Sequence, residues 1–159
     1  MTLRIVAAAV AALALLVAAG LASAHEYRAG DLLIAHPWAR ATLTANQAGA
    51  IYLAVINMGT QADTLLSAST SAAEQAMLHE TVMDGDVARM VHVGEIDIPA
   101  DGSLVLEPGG KHLMLTGLSA PLAEGQTFTL TLQFRRAGAV EVEVHIEGMG
   151  AAPEHAHGA

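Results

Sequence analysis

Thr127-Phe128-Thr129-Leu130-Thr131-Leu132-Gln133-Phe134 and Val140-Glu141-Val142-Glu143-Val144-His145-Ile146 are the two stretches that decide the fold, because in both the apolar residues recur at every second position. Successive side chains of an extended strand point to opposite faces, so each stretch has one dry side and one wet side. Joined through Ala137-Gly138, they predict an antiparallel hairpin with a solvated face. Shorter alternating segments recur along the chain and predict further strands near 31–36, 48–57, 62–68, 75–82, 88–93, 103–107 and 112–116. Turn residues separate them at Asn57-Met58-Gly59, Asp84-Gly85-Asp86, Asp101-Gly102 and Pro108-Gly109-Gly110. So many short strands, with no long 3.6-residue period, predict an all-β domain built as a β-sandwich or Greek-key barrel. Ala72 to Met77 also fits a single helical turn, and Trp38 reads as an anchor of the core.

The 159 residues leave room for one domain and little more. The first 24 carry a short positive start ending at Arg4, an apolar run from Ile5 to Leu21, and the small-x-small sequence Ala22-Ser23-Ala24. That is the layout of a cleaved secretory signal, and its form suggests the bacterial periplasm as the destination. Cleavage would leave a chain that starts at His25 and has no stable insertion in the membrane. Arg4 is the one charge removed with the segment, so the formal charge moves from −9 to −10. Such acidity disfavours nucleic acid and anionic membrane surfaces as partners and favours cations. Residues 25–147 form the predicted domain. From Gly148 to Ala159 the sequence is mostly Gly, Ala and Pro with Met149, Glu154, His155 and His157 among them, and it reads as a mobile tail whose two imidazoles, borderline donors that suit Cu(II), offer a secondary metal site.

There is no cysteine, which removes disulfides, thiolate metal sites and cysteine nucleophiles. Phosphate-binding loops, Gly-x-Ser-x-Gly and His-Glu-x-x-His are also absent, and no carboxylate is paired with a nucleophile as hydrolysis would require. The protein is therefore not expected to be an enzyme. Against only five aromatic residues, eight histidines and seven methionines stand out. Met77-Leu78-His79, Met90-Val91-His92 and His112-Leu113-Met114 each place an imidazole and a thioether two residues apart, hence on one face of a strand. Leu113 and Leu115 would then fill the core from the other face. Thioether plus imidazole is a soft donor set that suits Cu(I), whereas Ca²⁺ and Mg²⁺ prefer oxygen.

Ten residues, Glu80 to Arg89, lie between His79 and Met90; twenty-one, Val91 to Lys111, lie between Met90 and His112; Leu113 alone precedes Met114. This spacing resembles the periplasmic copper chaperones called PCu(A)C, whose signature is His-x10-Met-x21-His-x-Met. Ala35-His36-Pro37-Trp38-Ala39-Arg40, Ile51-Tyr52-Leu53 to Asn57, His79-Glu80-Thr81 and Pro108-Gly109-Gly110-Lys111-His112-Leu113-Met114-Leu115 are similar to that family too, so the resemblance extends over residues 30 to 146. It implies a cupredoxin-like Greek-key β-sandwich in which His79, Met90, His112 and Met114 bind one Cu(I). A protein that must give its metal away should hold it in a shallow, open place, which predicts these four on loops or strand ends at one edge. The resemblance also implies delivery of copper to the CuA centre of cytochrome c oxidase, with oxidase subunit II or a Sco-type thiol protein as the receiving partner. Met77, Met83 and His92 fall outside the signature and receive no role from it.

Two other classes compete with a carrier. One is copper storage or resistance, in which the protein buffers the metal for export; the other is a β-sandwich interaction module with incidental His and Met. A copper monooxygenase built on an amino-terminal His25 would need a further histidine placed against it, and neither His36 nor His92 is assigned to that position by the sequence.

Overall fold

The computed structural model describes residues 26–152. They form eleven strands and, among the described residues, no helix: β1 (Glu26–Ala29), β2 (Leu32–Arg40), β3 (Gly49–Asn57), β4 (Asp63–Ser69), β5 (Ala73–Asp84), β6 (Val87–His92), β7 (Ile96–Ile98), β8 (Ser103–Leu106), β9 (Lys111–Leu118), β10 (Thr127–Phe134) and β11 (Gly138–Glu147). The segments expected as signal (1–24) and as most of the tail (153–159) lie outside the described residues.

The alternating pair forms the hairpin it predicts, with Thr127 opposite His145 and Phe134 opposite Gly138. Gly138 closes the loop at φ +78°, a left-handed conformation that glycine adopts without steric cost. Leu130, Leu132, Phe134, Val142, Val144 and Ile146 are buried on the hairpin's inner side. Asp63, at the start of β4, holds the loop in place. Its carboxylate accepts backbone N–H bonds from Thr64 at 2.8 Å, Arg136 at 2.9 Å and Ala137 at 3.0 Å. Burial alone would raise the Asp63 pKa, but these three bonds and the Arg136 charge outweigh it and lower the pKa below 3.8.

The strands β2, β11, β10, β4, β5, β9 and β3 neighbour one another in that order, and β3 pairs again with β2, so the sheet closes on itself. The result is an all-β, sandwich-like barrel, and the links from β3 to β4 and from β9 to β10 join non-adjacent strands in the Greek-key manner. Ile34, Ala39, Ile51, Leu65, Leu78, Leu113 and Leu115 meet the hairpin's apolar residues inside. Two strands escape the sequence reading, β1 because Glu26-Tyr27-Arg28-Ala29 has only four residues, and β7 because it has three. The helical turn considered for Ala72 to Met77 is not formed. Ala73 opens β5 instead, with Gln75, Ala76 and Met77 paired to Thr116, Leu115 and Met114 of β9.

Trp38 is buried as expected, but it stands outside the main core cluster: alternation along β2 sends Ala39 into the barrel and Trp38 to the other face, where its ring lies 4.7 Å from that of Tyr52. Arg40 covers both rings, with its guanidinium carbon 6.0 Å from the Trp38 centre and 5.8 Å from the Tyr52 centre. Arg40 Nε also donates to the Ala151 carbonyl at 3.1 Å, so the first residues of the tail are tied down.

Candidate metal centre

All six residues of the three His/Met pairs lie on β5, β6 and β9, which are adjacent. In the β5–β9 register Met77 faces Met114, Leu78 faces Leu113 and His79 faces His112. In the β5–β6 register His79 faces His92 and Thr81 faces Met90. Leu78 and Leu113 point into the barrel, so the period of two sends Met77, His79, His112 and Met114 to its outer surface. The loops or strand ends expected for the site are not where these side chains fall: they sit within strands on the outside of the wall, His112 being one residue from the start of β9.

The β5–β6 hairpin is held by a two-residue loop, Gly85-Asp86, with Gly85 at φ +63° in the position a type II′ turn reserves for glycine. The outer part of this hairpin is open to solvent, including Val82, Met83, Val87, Met90 and Val91. Ion pairs flank the site: Lys111 Nζ lies 3.0 Å from Glu80 Oε1, and Arg89 Nη2 lies 3.2 Å from Asp84 Oδ2.

Three of the four expected ligands converge. His79 Nδ1 lies 2.9 Å from Met114 Sδ, and the His79 and His112 rings meet edge to face with centres 6.1 Å apart. His112 is 5% exposed, and its Nδ1 is 3.1 Å from the Gly110 carbonyl oxygen. That contact favours the proton on Nδ1 and leaves the Nε2 lone pair for a metal. The fourth, Met90, stands apart from this group, 65% exposed on β6 and diagonal to His79. Burial, and next the neighbouring imidazoles of His112 and His92, lower the His79 pKa below its ordinary 6.5, so at neutral pH the ring offers a lone pair. Among the described residues no group of three or more His, Asp or Glu side chains is arranged to hold a metal, so a metal held here needs the sulfurs as well.

His92 escapes the family signature yet belongs to the cluster: its ring meets the His79 ring edge to face at 5.6 Å. The Met90-Val91-His92 spacing carried that signal in the sequence. Met77 is half-buried beside Met114, whereas Met83 is exposed near the hairpin turn. His36 sits elsewhere, at φ +50° where the β2–β3 register shifts between Ala35 and Trp38.

A cupredoxin-like β-domain with imidazoles and thioethers gathered on one outer face is the class of protein that fold and site define. Residues 32–146 match the LpqE-like family, and the chain belongs to it, within the PCuAC group of copper chaperones. The copper-bound PCuAC domain from PmoF2 is 27% identical with a TM-score of 0.68, the match covering 81% of this chain and 99% of that one. Cu(I)-bound DR1885 from Deinococcus radiodurans is 30% identical with a TM-score of 0.60, covering 82% of this chain and 85% of that one. A curated relative, "Putative lipoprotein Lxx21020" of Leifsonia xyli subsp. xyli (strain CTCB07), is 37% identical over 105 residues, or 65% of this chain. The matched region spans 63% of that relative's length.

Proposed function

We propose that this protein is an exported Cu(I) carrier that holds one ion between His79, Met90, His112 and Met114 and gives it to the CuA site of cytochrome c oxidase, directly or through a Sco-type thiol protein. The observation that carries the reading is the convergence of His79, His112 and Met114 on the outer wall of the barrel. The copper carried by the PmoF2 and DR1885 domains supports the choice of metal.

The chemistry suits a carrier rather than a catalyst. Neutral imidazoles and thioethers stabilise Cu(I) without thiolates, which an oxidising compartment converts to disulfides. No anionic ligand contributes, so a partner offering thiolates can replace the four donors one at a time. Met90 is the natural first to leave, being exposed and set apart from the other three. The segment before His25 reads as a cleaved export signal that would release the carrier into the periplasm.

The test is the Cu(I):protein ratio of the purified protein by competition with a chromophoric Cu(I) chelator. One equivalent is expected in the wild type and a large loss of affinity in His112→Ala. A deletion strain should assemble less active cytochrome c oxidase. A protein that binds several equivalents, with normal oxidase in the deletion strain, would favour storage instead.

A further inference from the structure

The family signature leaves His92 without a role, but the sheet does not leave it at a distance. It stands directly across from His79 on β6, two residues from Met90 and on the same strand face. Its ring centre is 5.6 Å from that of His79, while the His79 and His112 centres are 6.1 Å apart. Two imidazoles sharing an ion through metal–nitrogen bonds of about 2.0 Å have ring centres roughly 4.5–5.5 Å apart. His92 is exposed, so its ring can turn to close that difference.

We propose that His92 is an alternative ligand at this site, one that takes the place of Met90 when the ion is Cu(II). The inference rests on the copper-carrier reading above and adds a second coordination mode to it. β6 offers the same ion two donors of different softness: an imidazole from the position facing His79, and a thioether from the diagonal position facing Thr81. Diagonal neighbours across a strand pair are roughly 7–8 Å apart, within reach of a long side chain such as methionine. Cu(I) prefers the thioether, and the two imidazoles and two sulfurs of the main site satisfy it. Cu(II) is harder and favours nitrogen, so His79, His92 and His112 with Met114 suit it better. The three imidazoles are not pre-arranged around a common point, and Cu(II) binding therefore requires His92 to rotate inward. The exposed edge strand allows that movement without disturbing Leu78 or Leu113 in the core. No electron transfer is involved; the two states select different donors from one strand.

The experiment uses the full mature chain with His25→Ala, His155→Ala and His157→Ala in every sample, so that neither an amino-terminal histidine nor the tail imidazoles hold Cu(II). One equivalent of Cu(II) is added at pH 7.5 and read by electron paramagnetic resonance, with nitrogen couplings resolved by pulsed methods. Cu(I) affinity is measured in parallel by chelator competition. His92→Ala should remove one nitrogen from the Cu(II) spectrum and weaken Cu(II) by about tenfold or more, leaving Cu(I) affinity within about twofold. His92→Met should likewise lose Cu(II) affinity while holding or gaining Cu(I) affinity, a divergence that a folding defect would not produce. An unchanged Cu(II) spectrum in His92→Ala, or equal losses for both oxidation states, would overturn the inference. His112→Ala separates the two claims: if it leaves Cu(I) affinity intact, the carrier reading itself fails, whatever His92 does.

Discussion

Acid should weaken Cu(I) binding through His79, and the surroundings of that ring determine where the weakening begins. An imidazole coordinates only as the neutral base, so a proton and the metal compete for it. For a ring with an ordinary pKa of about 6.5, the competition would reduce apparent affinity about thirtyfold at pH 5. His79 is partly buried and faces two other imidazoles, which lowers its pKa, so its penalty is smaller and sets in further into acid. Well below its pKa, each pH unit costs about one factor of ten in affinity for every ligand that must lose a proton. Two measurements test this together. Proton NMR of the apo protein gives the His79 midpoint, expected below 6.5, and chelator competition from pH 7.5 downward gives the affinity slope for wild type and His79→Ala. The two slopes should run parallel above 6.5 and separate by up to about one log unit per pH unit once pH falls below the NMR midpoint. A midpoint at or above 6.5 would refute the electrostatic argument, and slopes that stay parallel through the observed midpoint would refute His79 as a ligand. The same ring affects the apo fold. Its folded pKa is lowered, so as pH falls from about 6.5 the unfolded chain takes the proton first and stability declines until the folded pKa is passed.

Replacing Met114 by Ala should weaken Cu(I) more than Cu(II), because the thioether beside His79 Nδ1 prefers the softer ion; equal losses measured by chelator competition for both states would point to another ligand set. Leu113 is fully buried between two of the proposed ligands, so Leu113→Ala should destabilise the domain by about 2–5 kcal/mol in urea unfolding and also lower Cu(I) affinity by loosening β9. Asp63→Asn keeps one oxygen but turns an N–H donor toward the Ala137 N–H, a change that should cost about 1–3 kcal/mol in the same assay. In the wild type the Asp63 contribution is fully present above about pH 3.9 and is lost as pH falls through its lowered folded pKa, so the variant's stability should depend less on pH in that range.

The parts of the fold that were legible in the sequence are those where one face is buried. Leu130, Leu132 and Phe134 alternate with threonine and glutamine, and nothing but a half-buried strand explains that pattern. β1 and β7 were hidden because runs of four and three residues are too short to establish a period. The closure of the sheet was also out of reach, since it depends on β11 running parallel to β2 through His145–Trp38, Ile146–Ala39 and Glu147–Arg40, a pairing no local pattern announces. The burial of Trp38 was legible from its size, but not its side: its parity in β2 is opposite to that of Ala39, and the Tyr52 ring and the Arg40 guanidinium lie against it there.

For the candidate site, parity and register together account for what the spacing meant and for what it omitted. His-x-Met in β9 needs a period of two, which fixes the residue between its imidazole and its thioether as a core leucine. His79 needs the same parity in β5, and Leu78 beside it is again a core residue. The His79–His112 pairing follows once Leu78 faces Leu113 inside the barrel, so packing of the core and alignment of the ligands are one constraint. A slip of one residue between β5 and β9 would carry the imidazoles into the apolar interior and the leucines into water. β6 has no such lock: it is an edge strand, exposed throughout, and its position depends on the Gly85 turn and its ladder with β5. A side chain on β6 is therefore held less firmly than one on β5 or β9. If the protein gives its metal away as proposed, the least constrained strand is where the first bond should break, and it is also where a second donor can wait beside the first.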